Sequence, residues 1–273
     1  MTKIIFTLPG RYSATLSSLK QISMVVVCSF VMIGAVCLRD KGIYELVYGI
    51  GCCGLSPAAV AAAVSAPPYV IAIDPGHGGM DTGAQAIVEE YKVIDTTCAY
   101  LYELLENDPD FIPVLTRTDT DPESGPRADV ANSAGASLLL SIHANSDSHQ
   151  SSKGFECFPQ PPGRAYHTDS LHFAQLIVEQ MRAAGHTIRG DENKTGIKYA
   201  YYYGDTKKIV DSSDDKLRSR KSFGILEKAN CPAVLAEQCF ISNYSDVENW
   251  ATDAGCQKAA RLYYTAIKQY FDL

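Results

Sequence analysis

Two kinds of apolar run alternate along the chain from residue 69 onward. Short runs rich in aliphatic residues, Tyr69–Ile73, Pro113–Thr116, Ser137–Ile142 and Pro232–Glu237, are set off by turn residues or helical segments and predict buried strands. Between them apolar positions recur at spacings of three and four. Val93, Ile94, Thr97, Cys98, Leu101, Leu104 and Leu105 mark a helix over 89–107, and Ala259, Leu262, Tyr263, Ala266, Ile267 and Tyr270 mark one over 255–271. Further helices are predicted over 127–136 and 171–184. Phe155–Phe158 reads as an edge strand, because Pro159 cannot continue a ladder. Strands alternating with helices predict an α/β fold, a twisted, mostly parallel sheet flanked by helices on both faces. Residues 185–224 are polar and rich in Lys, Asp and Tyr, and are assigned to long loops near the site.

The first 68 residues follow a different pattern. Residues 23–38 carry no charge and are preceded by Lys3, Arg11 and Lys20. The run lies between the h-region of a cleaved signal, about 7–15 residues, and the lower limit of a spanning helix, about 17. Small-residue cleavage sites near Ala61–Ala66 lie far downstream, which favours an uncleaved anchor over a cleaved signal. Residues 1–41 are therefore expected to form an apolar N-terminal helix that exports or anchors the protein. Residues 42–68 read as a linker, and 69–273 as the catalytic domain.

Charge narrows the partners. The chain has net charge -7, and residues 69–273 hold 19 basic against 29 acidic residues. Such a body lacks the basic surface that nucleic-acid binding needs. None of the nine cysteines forms a C-x-x-C pair, so they read as small buried hydrophobes rather than a cysteine zinc site.

Three predicted strands end in polar residues: Asp74-Pro-Gly-His77-Gly-Gly, Ser141-Ile-His143-Ala-Asn145, and Glu237. In open α/β sheets ligands bind beyond the carboxyl ends of the strands, so His77, His143 and Glu237 are expected to converge. Two imidazoles at strand ends suit a metal, and a catalytic zinc takes three protein ligands with one position open. The first turn of the helix after the His77 loop offers the third ligand, as Glu89 or Glu90. Asp74 is expected to orient His77 or cap its loop, with Asp81 and Asn145 as further supports of the ligands.

With these residues in view, Ile73-Asp-Pro-Gly-His-Gly-Gly-Met-Asp-Thr-Gly-Ala84 resembles the opening motif of the zinc-dependent N-acetylmuramoyl-L-alanine amidases of the Amidase_3 type. Leu115-Thr-Arg-Thr-Asp119 resembles their second motif. Arg127, Ala131-Asn132 and Ser141–Asn145 resemble the third, and Val234–Asn243 the fourth, with Cys239 where the family usually has Gly. The motifs occur in family order from about residue 69 to the C-terminus. The resemblance implies an amidase fold of the phosphorylase/hydrolase-like kind. It also implies one zinc per chain and hydrolysis of the amide between N-acetylmuramic acid and L-alanine in peptidoglycan.

Carried over residue by residue, it makes His77 and His143 zinc ligands and Glu237 the catalytic acid/base that handles the proton of a zinc-activated water. Counting back from the paired Leu104-Leu105 favours Glu90 over Glu89 as the third ligand. The single domain behind an apolar segment resembles sporulation amidases, and is compatible with vegetative cell-separation enzymes and phage-type lysins. An extracytoplasmic monomer acting on peptidoglycan, held to the membrane by its N-terminus or secreted, is expected. Two other functions compete: a degenerate module that grips peptidoglycan without cutting it, and a zinc peptidase that cuts the stem peptide. The remaining histidines, His149, His167, His172 and His186, read as satisfied structural residues. Arg218, Arg220 and Lys221 are candidates to grip a substrate carboxylate but read better as solvated charge. The tyrosines at 199 and 201–203 could line a groove or simply pack.

Overall fold

A computed structural model of the chain describes residues 67–79, 81–117, 127–190 and 195–273. The expected N-terminal helix over 1–41 and nearly all of the linker lie outside the described residues, as do Thr118 and Asp119 of the second motif. Among the described residues no helix is long and apolar enough to cross a membrane.

The sheet has five strands in the order β2-β1-β3-β7-β4. These are β1 (Tyr69–Pro75), β2 (Phe111–Leu115), β3 (Leu138–Asn145), β4 (Glu156–Pro159) and β7 (Ala233–Phe240). The first four positions in that order are mutually parallel, and β4 runs antiparallel along the edge of β7. Alternation along the strands divides the core. Ile71, Ile73, Leu138, Leu140, Ile142, Val234 and Ala236 enter a large cluster on one face. Their neighbours Ala72, Leu139, Ala233 and Leu235 enter a smaller cluster on the other. Both faces are thus buried, which is why these strands read as continuous apolar runs rather than as alternating ones.

The large cluster is covered by three helices, α1 (Glu90–Glu106), α3 (His167–Ala183) and α6 (Asp253–Tyr270). Of the positions the spacing predicts for α1, Val93, Ile94, Thr97, Cys98, Leu101 and Leu105 are buried and Leu104 is partly buried; Glu90 in the first turn is buried as well. Thr252 caps α6 by accepting a hydrogen bond from the Gly255 amide at 3.2 Å. Among the described residues the small cluster is covered by α2 (Arg127–Ser133), α4 (Gly224–Lys228) and a hairpin of β5 (Lys198–Tyr203) with β6 (Thr206–Asp211).

Tyr244–Asp246 forms a single turn, α5, that continues into a π-helical turn over Val247–Ala251. The hairpin corrects the assignment of 185–224 to long loops. Its two-residue turn, Gly204-Asp205, joins the paired Tyr203 and Thr206, and Gly204 takes φ +62, which its lack of a Cβ makes easy.

From β1 the chain crosses by α1 to β2 on one side, then returns by α2 to β3 on the other. The reversal leaves a crevice beyond the ends of β1 and β3, where ligands bind in sheets of this kind.

Candidate active site

His77 lies two residues past the end of β1 and adopts φ +60, a left-handed conformation that costs a non-glycine residue about 1 kcal/mol or more. The loop is held from outside. Arg117, buried beside it, donates from Nε to the Pro75 carbonyl at 2.9 Å and from Nη2 to that of Gly76 at 3.2 Å. Arg127 donates to the Pro75 carbonyl as well, also at 2.9 Å. Gly76 leaves room for the His143 ring, since a Cβ there would overlap its imidazole atoms. Sequence reasoning gave Arg117 no role beyond its motif.

Three side-chain atoms that could bind one metal ion meet in the cleft. His77 Nε2 lies 3.1 Å from Glu90 Oε1, His143 Nδ1 lies 3.2 Å from His77 Nε2, and His143 Nδ1 lies 3.3 Å from Glu90 Oε1. They form a nearly equilateral triangle. A tetrahedral zinc with bonds of about 2.0–2.1 Å sets its ligand atoms about 3.3 Å apart, so the donor set and its spacing fit that ion. Other groupings of three or more His, Cys, Asp or Glu with this closeness are absent among the described residues. Glu90 is the carboxylate that reaches the histidines. Glu89 points elsewhere and pairs with Lys92.

Each member is fixed by its surroundings. His77 Nδ1 donates to Asp81 Oδ2 at 2.9 Å, which leaves Nε2 free to bind a metal. Glu90 accepts from the Ala84 amide at 2.8 Å through Oε2 and from the Ala144 amide at 3.0 Å through Oε1. Burial would raise the pKa of Glu90, but hydrogen bonds from His143, His77 and the two amides outweigh it and hold the carboxyl well below its ordinary range. The hydrogen bond to Glu90, opposed by burial and aided by Asp81, raises His77 to about 9 in the metal-free site.

Asp74 does not orient His77, contrary to one expectation. Its fully buried carboxylate accepts from Thr116 Oγ1 at 2.5 Å and Ser141 Oγ at 2.6 Å, and lies 3.4 Å from Arg127 Nε. It ties the ends of β1, β2 and β3 together. Asn145 does not touch the ligands through its amide either. Its Nδ2 donates to Glu156 Oε1 at 2.9 Å.

Glu237 stands directly beside His143 in the β3–β7 register, on the thinly covered face. Burial raises its pKa to about 7. The charge of His143 opposes that rise, Glu90 and Glu156 add to it, and Lys207 opposes it. Its Oε2 is buried and has no hydrogen-bond partner among the described residues. His77, Glu90, His143 and Glu237 all line one cleft of about 510 Å³. A groove of about 610 Å³ between α1 and α6 lies away from these residues.

Several candidates fall outside the cleft. Arg218 pairs with Asp214 at 2.5 Å and lies over the Tyr201 ring, and Arg220 lies over Tyr203. Tyr199 and Tyr201 are buried packing groups. His149 pairs with Asp147 at 3.0 Å, and His167 lies 2.8 Å from the Gln160 carbonyl. His186 lies 2.8 Å from the Gln238 carbonyl and stacks on Trp250. All five described cysteines are free and buried.

The fold and the cleft define an α/β enzyme whose chemistry sits at the ends of parallel strands. The chain belongs to the N-acetylmuramoyl-L-alanine amidase family, whose model matches residues 71–269. It is 29% identical over 206 residues to the N-acetylmuramoyl-L-alanine amidase CwlM of Bacillus licheniformis, covering 74% of this chain and 69% of that protein. The sporulation-specific N-acetylmuramoyl-L-alanine amidase of Bacillus subtilis is 27% identical, with 74% and 68% covered. Among solved structures, the catalytic domain of CwlV from Bacillus (Paenibacillus) polymyxa var. colistinus matches with TM-score 0.58 and 28% identity. That match covers 75% of this chain and 98% of the CwlV domain.

Proposed function

We propose that the chain hydrolyses the amide between N-acetylmuramic acid and L-alanine in peptidoglycan, with one zinc held by His77, Glu90 and His143 and with Glu237 as general base and acid. The observation that carries this reading is the triangle of ligating atoms with Glu237 beside it in register. When bound, zinc lowers the pKa of water toward about 7 and polarises the scissile carbonyl.

Glu237 takes the proton of the attacking water on a carboxylate oxygen and returns it to the departing alanine nitrogen. Burial raises this carboxyl to about 7 in the metal-free site, and a bound cation would draw it back down, favouring the ionised form that accepts the first proton. Asp81 keeps His77 in the tautomer that presents Nε2, and the Ala84 and Ala144 amides keep Glu90 ionised and in place. The substrate lies outside the cytoplasmic membrane, so the apolar segment 23–38 would serve to export the domain or to anchor it there.

The test is incubation with purified cell wall. Release of N-terminal L-alanine by the wild-type protein, with Glu237→Ala inactive, supports the mechanism. Equal release by both proteins contradicts it. Mass spectrometry of the fragments separates amidase from peptidase, because an amidase liberates intact stems without sugar.

A further inference from the structure

The cleft that holds Glu90 and Glu237 is also lined by two lysines, Lys207 from the β5–β6 hairpin and Lys228 from the end of α4, and by Phe223. The charge of Lys207 is felt at Glu237. Both lysines are exposed, and among the described residues neither makes an ion pair.

The other basic groups nearby are committed. Arg127 is tied to Asp74, Arg164 to Glu227, and Arg189 and Lys198 to Glu156. Lys207 Nζ lies 5.5 Å from the centre of the Phe223 ring, which also lines the cleft and steadies the ammonium there. In a domain with ten more acidic than basic residues, two ammonium groups that line the cleft and have no ion-pair partner among the described residues are a local excess of positive charge.

We propose that Lys207 and Lys228 determine substrate specificity by binding the free α-carboxylate that an anionic stem peptide carries on its second residue. This rests on the amidase reading of the site. With the scissile carbonyl at the triangle of ligands, a carboxylate on the second residue of an extended stem falls about 7 Å away, within a cleft of this size. An ammonium on a flexible stem suits a wet carboxylate whose position varies with the stem. The enzyme therefore prefers stems whose second residue keeps its carboxylate over stems in which that group is a carboxamide.

Two synthetic muropeptides that differ only in that group provide the test, with the zinc-loaded full-length protein. The expected preference for the carboxylate is about tenfold in kcat/KM, chiefly through KM, and it weakens as salt is raised. In Lys207→Gln/Lys228→Gln the ratio falls to near one. Lys208→Gln, one residue along the ribbon and on its other face, retains the ratio. A wild-type ratio near one, or a tenfold ratio that survives in the double variant, overturns the specificity assignment alone. Cleavage of neither muropeptide by the wild-type protein overturns the amidase reading, and the specificity assignment with it.

Discussion

Glu156 and Glu237 face one another across the β4–β7 pair, and only Glu156 is neutralised. Its buried carboxylate has Lys198 Nζ at 2.6 Å, Arg189 Nε at 3.0 Å and Asn145 Nδ2 at 2.9 Å. Glu237 has no such partner for its Oε2 among the described residues. Like charges set opposite each other destabilise a sheet, and the two cations on Glu156 offset that repulsion. They leave Glu237 uncommitted at the cleft.

Glu156→Gln keeps the shape and removes the charge that Arg189 and Lys198 share. Both cations retain some solvent, so the expected loss is about 1–3 kcal/mol rather than the full cost of breaking a deeply buried pair. Urea unfolding should show a lower midpoint with an unchanged slope. Because Glu156 raises the pKa of Glu237, the acid limb of kcat/KM should also move to lower pH.

Glu237→Gln removes the proton acceptor without touching the triangle of ligands. Turnover on muropeptide should drop by about 10²–10⁴-fold. Zinc content, measured by elemental analysis, should match that of the wild-type protein.

Zinc uptake should release protons. In the metal-free site His77 is protonated up to about pH 9, whereas Glu90 is already ionised. The metal must displace the proton on His77. Affinity should therefore rise about tenfold per pH unit below pH 9 and level off above it. Calorimetry at pH 7 in buffers of different ionisation enthalpy should report between one and two protons released per zinc, one from His77 and about half from the bound water.

Gly83 has φ +64, and a Cβ there would lie 2.7 Å from Glu90 Oε2 and 2.7 Å from the His77 ring. Gly83→Ala should weaken zinc binding while leaving the sheet intact. Far-ultraviolet circular dichroism should be unchanged, with zinc lost at lower chelator concentration.

His186 links stability to pH. Burial beside Trp250 lowers its pKa from 6.5 to about 4, the Gln238 carbonyl opposing the shift. A base whose folded pKa is depressed must be neutral in the fold, so it favours folding fully above pH 6.5. That contribution fades as pH falls from 6.5 through 4, with an upper bound of about 3 kcal/mol. His186→Gln should flatten the dependence of the unfolding midpoint over that range.

The strands and long helices were legible because each buries a continuous run or a stripe whose period shows in the chain. His77, His143 and Glu237 could be located because each ends such a run. Choosing Glu90 over Glu89 needed the family count, since both begin the same helix. In the fold only Glu90 has its carboxylate against both histidines.

The Glu156 assembly was not legible. Arg189 and Lys198 are distant in sequence, and only the fold brings them to one carboxylate. The β5–β6 hairpin was missed because its exposed strand is polar. Gly204-Asp205 between two tyrosine- and lysine-rich segments was the available signal. Arg218 and Arg220 attracted attention as charges; the Asp214–Arg218 pair is local in sequence, but only the fold sets the two arginines over the rings of Tyr201 and Tyr203.

X-ray diffraction from crystals of the zinc-loaded protein, recorded on both sides of the zinc absorption edge, is the most direct examination. One anomalous peak bonded to His77 Nε2, Glu90 Oε1 and His143 Nδ1, with Glu237 at the open side, is the predicted result. No peak there, or a peak bound by other residues, would contradict the account.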